Sequence, residues 1–249
     1  NMDVYMTVLI AGGDSFTYGS ELTSQEHTWA NLLANRLGWN ICNTARPGAS
    51  NSSIRRNVMN AVHKYFDADL RVFVMWSFPN RYEFKFLFDT GHIDSPWYNI
   101  NPWTFNKDNF KEHYLNANDD VLIMQEQNRK NAEEKGISDF ARTYIKNIAQ
   151  DPYWEIYTSW LEMTMLTNYL IVNGIEFQYA LVDNSLLDYN NLDSTLKTLE
   201  REITAMPFVS TIGMFNWAKQ TKQPFYTTHP TEKAHCNWIN MLYEDIKWT

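Results

Sequence analysis

The stretch Gly12-Gly13-Asp14-Ser15-Phe16-Thr17-Tyr18-Gly19 sets a serine on a sharp turn just after an aliphatic run, Val8-Leu9-Ile10-Ala11. A short aliphatic run halted by two glycines reads as a buried strand. The residues beyond Gly19 lead into a helical pattern. Backbone N–H groups at a helix start have no intrahelical partner and attract developing negative charge. Serine attack on a carbonyl creates such a charge, so the place suits a nucleophile. It also suits a structural task, because Asp14 and Ser15 are both favoured helix N-cap types. The segment alone leaves both readings open.

Three further segments bear on the choice. Asn43-Thr44-Ala45-Arg46-Pro47-Gly48-Ala49-Ser50-Asn51 comes after a second aliphatic run. Its Gly48 stands in a strand-to-helix turn, where a backbone N–H can approach a bound oxygen unobstructed by a side chain. A third run ends in Trp76-Ser77-Phe78-Pro79-Asn80-Arg81-Tyr82-Glu83-Phe84. Arg81 and Glu83 read as a polar pair, either for substrate or as a salt bridge. Near the other end stands Thr227-Thr228-His229-Pro230-Thr231, ahead of a helical pattern that contains His235. An imidazole beside a serine is the commonest proton acceptor for such a nucleophile. His27, His63, His92 and His113 show no metal-ligand spacing, so neither a metal nor a cofactor is expected. A nucleotide-binding flavodoxin-like domain is a weaker alternative, as no G-x-x-x-x-G-K-[ST] or G-x-G-x-x-G loop occurs.

The elements that must carry these residues alternate. Strands are expected at Tyr5–Ala11, Trp39–Asn43, Leu70–Trp76 and Ile175–Val182. Helices are expected at Thr28–Leu37, Ile54–Phe66, Phe140–Ile148, Tyr153–Val172, Leu192–Ile203 and Thr231–Lys247. Such alternation implies an α/β fold: one three-layer α/β/α sandwich spanning 1–249, with a central parallel sheet of about four or five strands. The catalytic-type residues then fall at the carboxyl ends of strands, where open α/β sheets bind ligands. An irregular, aromatic-rich insertion occupies about 78–138 and carries Tyr82, Phe84, Phe86, Phe88, Trp97, Tyr98, Trp103 and Phe105. It reads as a substrate platform, with a small aromatic subcore as the alternative for any single ring.

Composition narrows the function. A net charge of −8 over 249 residues argues against nucleic acid and anionic membrane surfaces as partners. Glu155, Glu162 and Asn168 interrupt the longest apolar helix, so no membrane span is expected. Cys42 and Cys236 are the only cysteines and form no C-x-x-C pair, which fits a reducing compartment. The N-terminal residues Asn1-Met2-Asp3 bring neither a basic region nor a long apolar one, so no signal peptide is read there. A cytoplasmic or virion-associated place is the expectation.

In these blocks the chain resembles the SGNH (GDSL-type) hydrolases. Gly13-Asp14-Ser15 is similar to their first block, Asn43 through Asn51 to their second, and His229-Pro230 to their last. The resemblance implies a flavodoxin-like SGNH hydrolase fold. It implies Ser15 as nucleophile, His229 as base, and the N–H groups of Ser15 and Gly48 as oxyanion donors. Two departures stand out. The family's third-block asparagine has no direct counterpart in Trp76-Ser77-Phe78-Pro79, leaving Ser77 or Asn80 to donate. The family's aspartate three residues before the histidine is replaced by Tyr226. A backbone carbonyl or Asp183 is the substitute partner for the imidazole.

The expected function is a serine esterase that removes O-acyl groups, acetyl among them, from a small-molecule or carbohydrate ester. Arg81, Trp97 and Trp103 are the candidate substrate contacts. The alternative is an SGNH-like domain without turnover, acting in glycan binding or assembly, since the orienting acid and the third block are both altered.

Overall fold

In the computed structural model, residues 6–85, 97–101, 130, 132–149 and 151–248 are described. The first strand, β1 (Val8–Gly12), leads to a single helical turn, α1 (Ser15–Tyr18), and to α2 (Trp29–Leu37). Then come β2 (Asn40–Asn43), α3 (Asn51–Lys64) and β3 (Leu70–Trp76). A short hairpin, β4 (Tyr82–Lys85) and β5 (Trp97–Ile100), precedes α4 (Ile137–Tyr144), which runs into a π turn over Ile145–Ala149. The long α5 (Pro152–Val172) leads to β6 (Glu176–Leu181), then α6 (Ser194–Thr204), α7 (Met214–Gln220) and α8 (Glu232–Leu242).

The four strands β2-β1-β3-β6 form one parallel sheet. Its strands alternate their side chains between two apolar layers, as the period of two requires. Val8, Ile10, Val72, Val74, Trp76, Tyr179 and Leu181 face α3, α5 and α6. Leu9, Ala11, Phe73, Met75, Ala180 and Val182 face α1, α2, α7 and α8. Both faces of the sheet are covered, which explains why its strands read as continuous aliphatic runs. The expected three-layer α/β/α arrangement is therefore present, with four parallel strands in the main sheet. Tyr5, at the start of the first expected strand, lies outside the described residues.

The chain turns to opposite sides after β1 and after β3, so the sheet order reverses between them. That reversal opens a crevice at the carboxyl ends of β1 and β3, the usual ligand position in such sheets. Ser15 lies just beyond β1 and Ser77 just beyond β3.

Two elements differ from expectation. The hairpin β4–β5 lies within the expected insertion, where the sequence predicts no strands; it pairs Tyr82 with Ile100 and Lys85 with Trp97. The helix α7 has no counterpart among the expected helices, because Met214–Gln220 is only seven residues long, too short for a helical period to show. The described aromatics of the insertion also turn mostly inward. Tyr82 and Phe84 pack with Tyr98, Tyr144, Trp154 and Ile137 in a separate subcore. They are packing residues rather than a platform. Trp97 is the exception, 45% exposed with the Arg56 guanidinium 4.6 Å over its ring. Phe86, Phe88, Trp103 and Phe105 lie outside the described residues.

Gly12 closes β1 against α3 with no room for a side chain: a Cβ there would stand 2.5 Å from Val58 Cγ2. We predict that Gly12→Ala lowers unfolding stability by about 1–3 kcal/mol through overpacking. A urea titration measures it, and an unchanged midpoint would show that the β1–α3 contact is looser than described.

Candidate functional site

The serine turn is built around a buried carboxylate. Asp14 is fully buried and caps α1, accepting from the Phe16 N–H at 2.9 Å. Its other oxygen accepts from Ser77 Oγ at 2.6 Å and from the Arg81 guanidinium at 2.7 Å. Arg81 also donates to Ser77 Oγ at 2.9 Å and lies 4.8 Å over the Phe78 ring. Asp14 thus does the capping task expected of it and also ties the end of β1 to the end of β3. Arg81 and Glu83 each make a structural salt bridge, the alternative to a substrate contact: Arg81 is buried against Asp14, and Glu83 pairs with Arg56 at 2.8 Å. Alternation along β4 sends Tyr82 inward and Glu83 to the other face, toward α3.

The neighbouring turns are stitched to this one. Thr44 N donates to Ala11 O, Arg46 N to Gly13 O, and Asn43 Nδ2 to Thr17 O. Asn51 receives the Ser77 N–H at 2.9 Å and donates to Ser77 O and Ser159 Oγ. Gly48 has φ 71°, a conformation that favours glycine. A Cβ on it would meet Asn101 Nδ2 at 3.4 Å. Asn101, at the end of β5, therefore brings a side-chain amide beside Gly48, and its Oδ1 is buried without a partner. Among the described residues, the amides of Ser15 and Gly48 make no hydrogen bond within the protein.

His229 stands at the same edge. Its ring centroid is 5.2 Å from that of Phe16, the residue after Ser15. No hydrogen bond joins it to Ser15 among the described residues; its Nδ1 is 2.9 Å from Thr228 Oγ1 and 3.5 Å from Glu21 Oε1. Glu21 accepts further from the N–H groups of Thr228 and His229, each at 3.2 Å, and from Thr228 Oγ1 at 3.0 Å. Burial works to raise the Glu21 pKa, but these backbone donors and the nearby imidazole together hold it below the usual carboxylate range. Glu21 also has φ 69°, a left-handed conformation that costs a side-chain-bearing residue about 1–2 kcal/mol.

A second carboxylate reinforces the same junction. Glu232, at the start of α8, accepts from Thr23 N and Oγ1 and from the Tyr226 hydroxyl. Those donors hold its pKa down at about 2. Tyr226, three residues before His229, is 42% exposed, with its hydroxyl on Glu232. Asp183 is used elsewhere: it caps the 3-10 turn Asn184–Leu186 by accepting from Ser185 N.

The sequence-derived candidates thus divide. Ser15, Gly48 and His229 share one edge with Ser77 and Arg81, although Ser77 donates its hydroxyl to Asp14. Asn80 has a buried Oδ1 without a partner. Trp103 lies outside the described residues. Glu21 and Asn101 are absent from the sequence-derived candidates; both reach the site from loops or strand ends distant in sequence, and no motif spacing marks them.

A groove beside Gly48 is lined by Tyr18, Asn43, Thr44, Ala45, Arg46, Pro47 and Asn99. Among the described residues no cluster of His, Cys, Asp or Glu has metal-binding geometry, and no helix is long and apolar enough to cross a membrane.

No protein-family model matches the chain, and no curated protein matches it. Solved structures do. A psychrotrophic esterase from Pseudoalteromonas sp., inhibited by monoethylphosphonate, is 13% identical over 96% of this chain and 95% of that one, with a TM-score of 0.48. A lipolytic G-D-S-L family protein from Veillonella parvula is 12% identical over 96% and 97%, TM-score 0.45. An acetyl-xylooligosaccharide esterase from Geobacillus is 11% identical over 98% and 95%, TM-score 0.44. At these identities, and with TM-scores below 0.5, the likenesses carry nothing about chemistry, which rests on this chain's own side chains.

The buried groups make two testable demands. Arg81→Ala leaves the Asp14 charge buried without its cation, and should cost about 3–5 kcal/mol of stability by denaturant unfolding; a loss under about 1 kcal/mol would mean that water replaces the guanidinium. His235 is buried, and its Nδ1 accepts from Trp29 N at 3.1 Å, so its proton sits on Nε2. Burial, with the His229 charge adding to it, pushes its pKa down to about 3. The unfolded chain therefore binds this proton near the ordinary histidine value and the folded chain does not. Its contribution to stability is complete above that value and lost as pH falls toward 3. His235→Asn should flatten the decline of melting temperature between about pH 6.5 and 3.5; an identical slope in the variant would put the decline on other groups.

Proposed function

We propose that the protein is a serine esterase acting on O-acyl groups, with Ser15 as nucleophile and His229 as general base. The observation that carries this reading is the convergence at one sheet edge. The Ser15 turn, the imidazole of His229 and the N–H groups of Ser15 and Gly48, which no described residue takes up, lie together there. Such an arrangement offers a nucleophile, a proton acceptor and donors for an oxyanion.

Ser15 Oγ attacks the ester carbonyl while its proton passes to His229 Nε2. The tetrahedral oxyanion is held by the two backbone N–H groups and by Asn101 Nδ2, which lies beside Gly48. Asn101 fits this task better than Ser77, whose hydroxyl proton is committed to Asp14. The oxyanion collapses, the alkoxide takes the proton from His229, and the acyl group stays on Ser15. Water then attacks the acyl-enzyme, again with His229 as base, and releases the carboxylic acid.

A carbohydrate ester is the proposed substrate. The groove beside Gly48 is lined largely by polar groups, with Tyr18 and Arg46 among them. The exposed Trp97 offers a flat apolar face of the kind that packs on a sugar ring.

Wild-type protein should react covalently with a fluorophosphonate probe and hydrolyse p-nitrophenyl acetate, and Ser15→Ala should abolish both. Trp97→Ala should reduce turnover of an acetylated oligosaccharide more than that of p-nitrophenyl acetate, because the small ester forgoes remote binding energy. A wild-type protein inert to the fluorophosphonate and to an acyl-ester panel would leave the non-catalytic glycan-binding reading in its place.

A further inference from the structure

We propose that Thr228 and Glu21 together replace the missing aspartate: the imidazole Nδ1–H is held by the Thr228 hydroxyl, which is held in turn by the Glu21 carboxylate. The inference rests on the esterase reading for its kinetic consequence, but its geometry stands apart from it.

The proton count fixes the direction of the chain. Thr228 Oγ1 lies 3.0 Å from Glu21 Oε1 and 2.9 Å from His229 Nδ1. A hydroxyl has one proton to give, and an ionised carboxylate can only accept. The hydroxyl therefore donates to Glu21 and presents a lone pair to Nδ1. That lone pair selects the tautomer with its proton on Nδ1, which leaves Nε2 unprotonated to act as base. An aspartate in a serine triad does the same in one step.

The carboxylate is itself anchored. Glu21 takes the backbone N–H groups of Thr228 and His229 as well as the Thr228 hydroxyl. Those contacts sustain its left-handed φ of 69°, a conformation that in an ordinary residue persists only where its surroundings over-determine it. Tyr226 leaves the family's position open by turning its hydroxyl to Glu232. Charged and titratable groups packed around the imidazole come from two elements besides its own loop. Glu21 arrives from the segment after α1, and His235, which is neutral, from α8. Glu232 is occupied by Thr23 and Tyr226, and Phe16 supplies an uncharged ring. Glu21 is thus the anion on the Nδ1 side, and both residues are positioning residues that act through His229.

The test compares wild type with Glu21→Gln, Thr228→Val and Thr228→Ser on p-nitrophenyl acetate. Glu21→Gln should lower kcat about 10²- to 10⁴-fold, the upper figure being the cost of losing a directly bonded triad acid. KM should stay within about twofold. Losing the negative charge should also move the acid limb of the pH–rate profile to lower pH. Thr228→Val should lower kcat, and Thr228→Ser should restore it. Glu21→Gln with wild-type kcat and an unshifted acid limb overturns the proposal, provided the wild type is active and Ser15→Ala is not. Should the wild type prove inert, ¹⁵N NMR of the His229 ring still decides. The Nδ1–H tautomer should dominate in wild type and give way in Thr228→Val and Glu21→Gln; a tautomer ratio that none of the variants moves overturns it.

Discussion

A fully buried carboxylate, Asp14, sets the terms for the rest of the site. Burying a charge is costly unless it is paired and hydrogen-bonded, and removing one partner costs more than the pair contributes. Asp14 meets that demand with three donors from three places: the Phe16 amide, the Ser77 hydroxyl and the Arg81 guanidinium. The first fixes α1 and thus the direction of Ser15. The other two fix the end of β3. One anion therefore registers two neighbouring strand ends at the point where the sheet order reverses. Ser77, with Asn80 an oxyanion candidate by sequence, donates its hydroxyl to Asp14, while the amide of Asn101, at the end of the β4–β5 hairpin, lies beside Gly48.

A second pair of carboxylates works at the surface side of the same edge. Glu21 and Glu232 both join the segment after α1 to the segment around His229. They do so with backbone donors on opposite sides, Glu21 reaching across to 228–229 and Glu232 reaching back to Thr23. The imidazole is thereby held by its own main chain as well as by its ring. Local strain at Glu21 is offset by the bonds it makes possible, as is common where a functional group must be held in one orientation.

Much of this is legible in the sequence, and the reason is locality. The four strands are visible because their two-sided burial demands aliphatic runs. Most helices are visible because an apolar face repeats every three or four residues. The Ser15 turn, the Gly48 turn and the loop of His229 are visible because glycines, caps and a proline mark such turns locally. What stays hidden depends on distant contacts. Arg81 and Glu83 read as one polar pair, and only the fold shows their separate partners, Asp14 for Arg81 and Arg56 for Glu83. Glu21 is one acidic loop residue among many, and neither its backbone conformation nor its partners leave a mark in spacing. Asn101 is recognised only once β5 places it against Gly48. The aromatic insertion misleads in another way: ring-rich segments look alike whether their rings face a ligand or, like Tyr82 and Phe84, one another.

The stitching between Glu21 and His229 spans 208 residues. A loop of that length closes late, since its entropy must be overcome before its contacts contribute. The serine turn, capped by a residue adjacent in sequence, needs only its own strand and a few neighbours to take shape. His229 and its anchoring groups need α8 docked against α2. A partly folded chain thus forms the Ser15 turn before His229 reaches it. The docking of the last helix is then the step that brings the two turns to one edge.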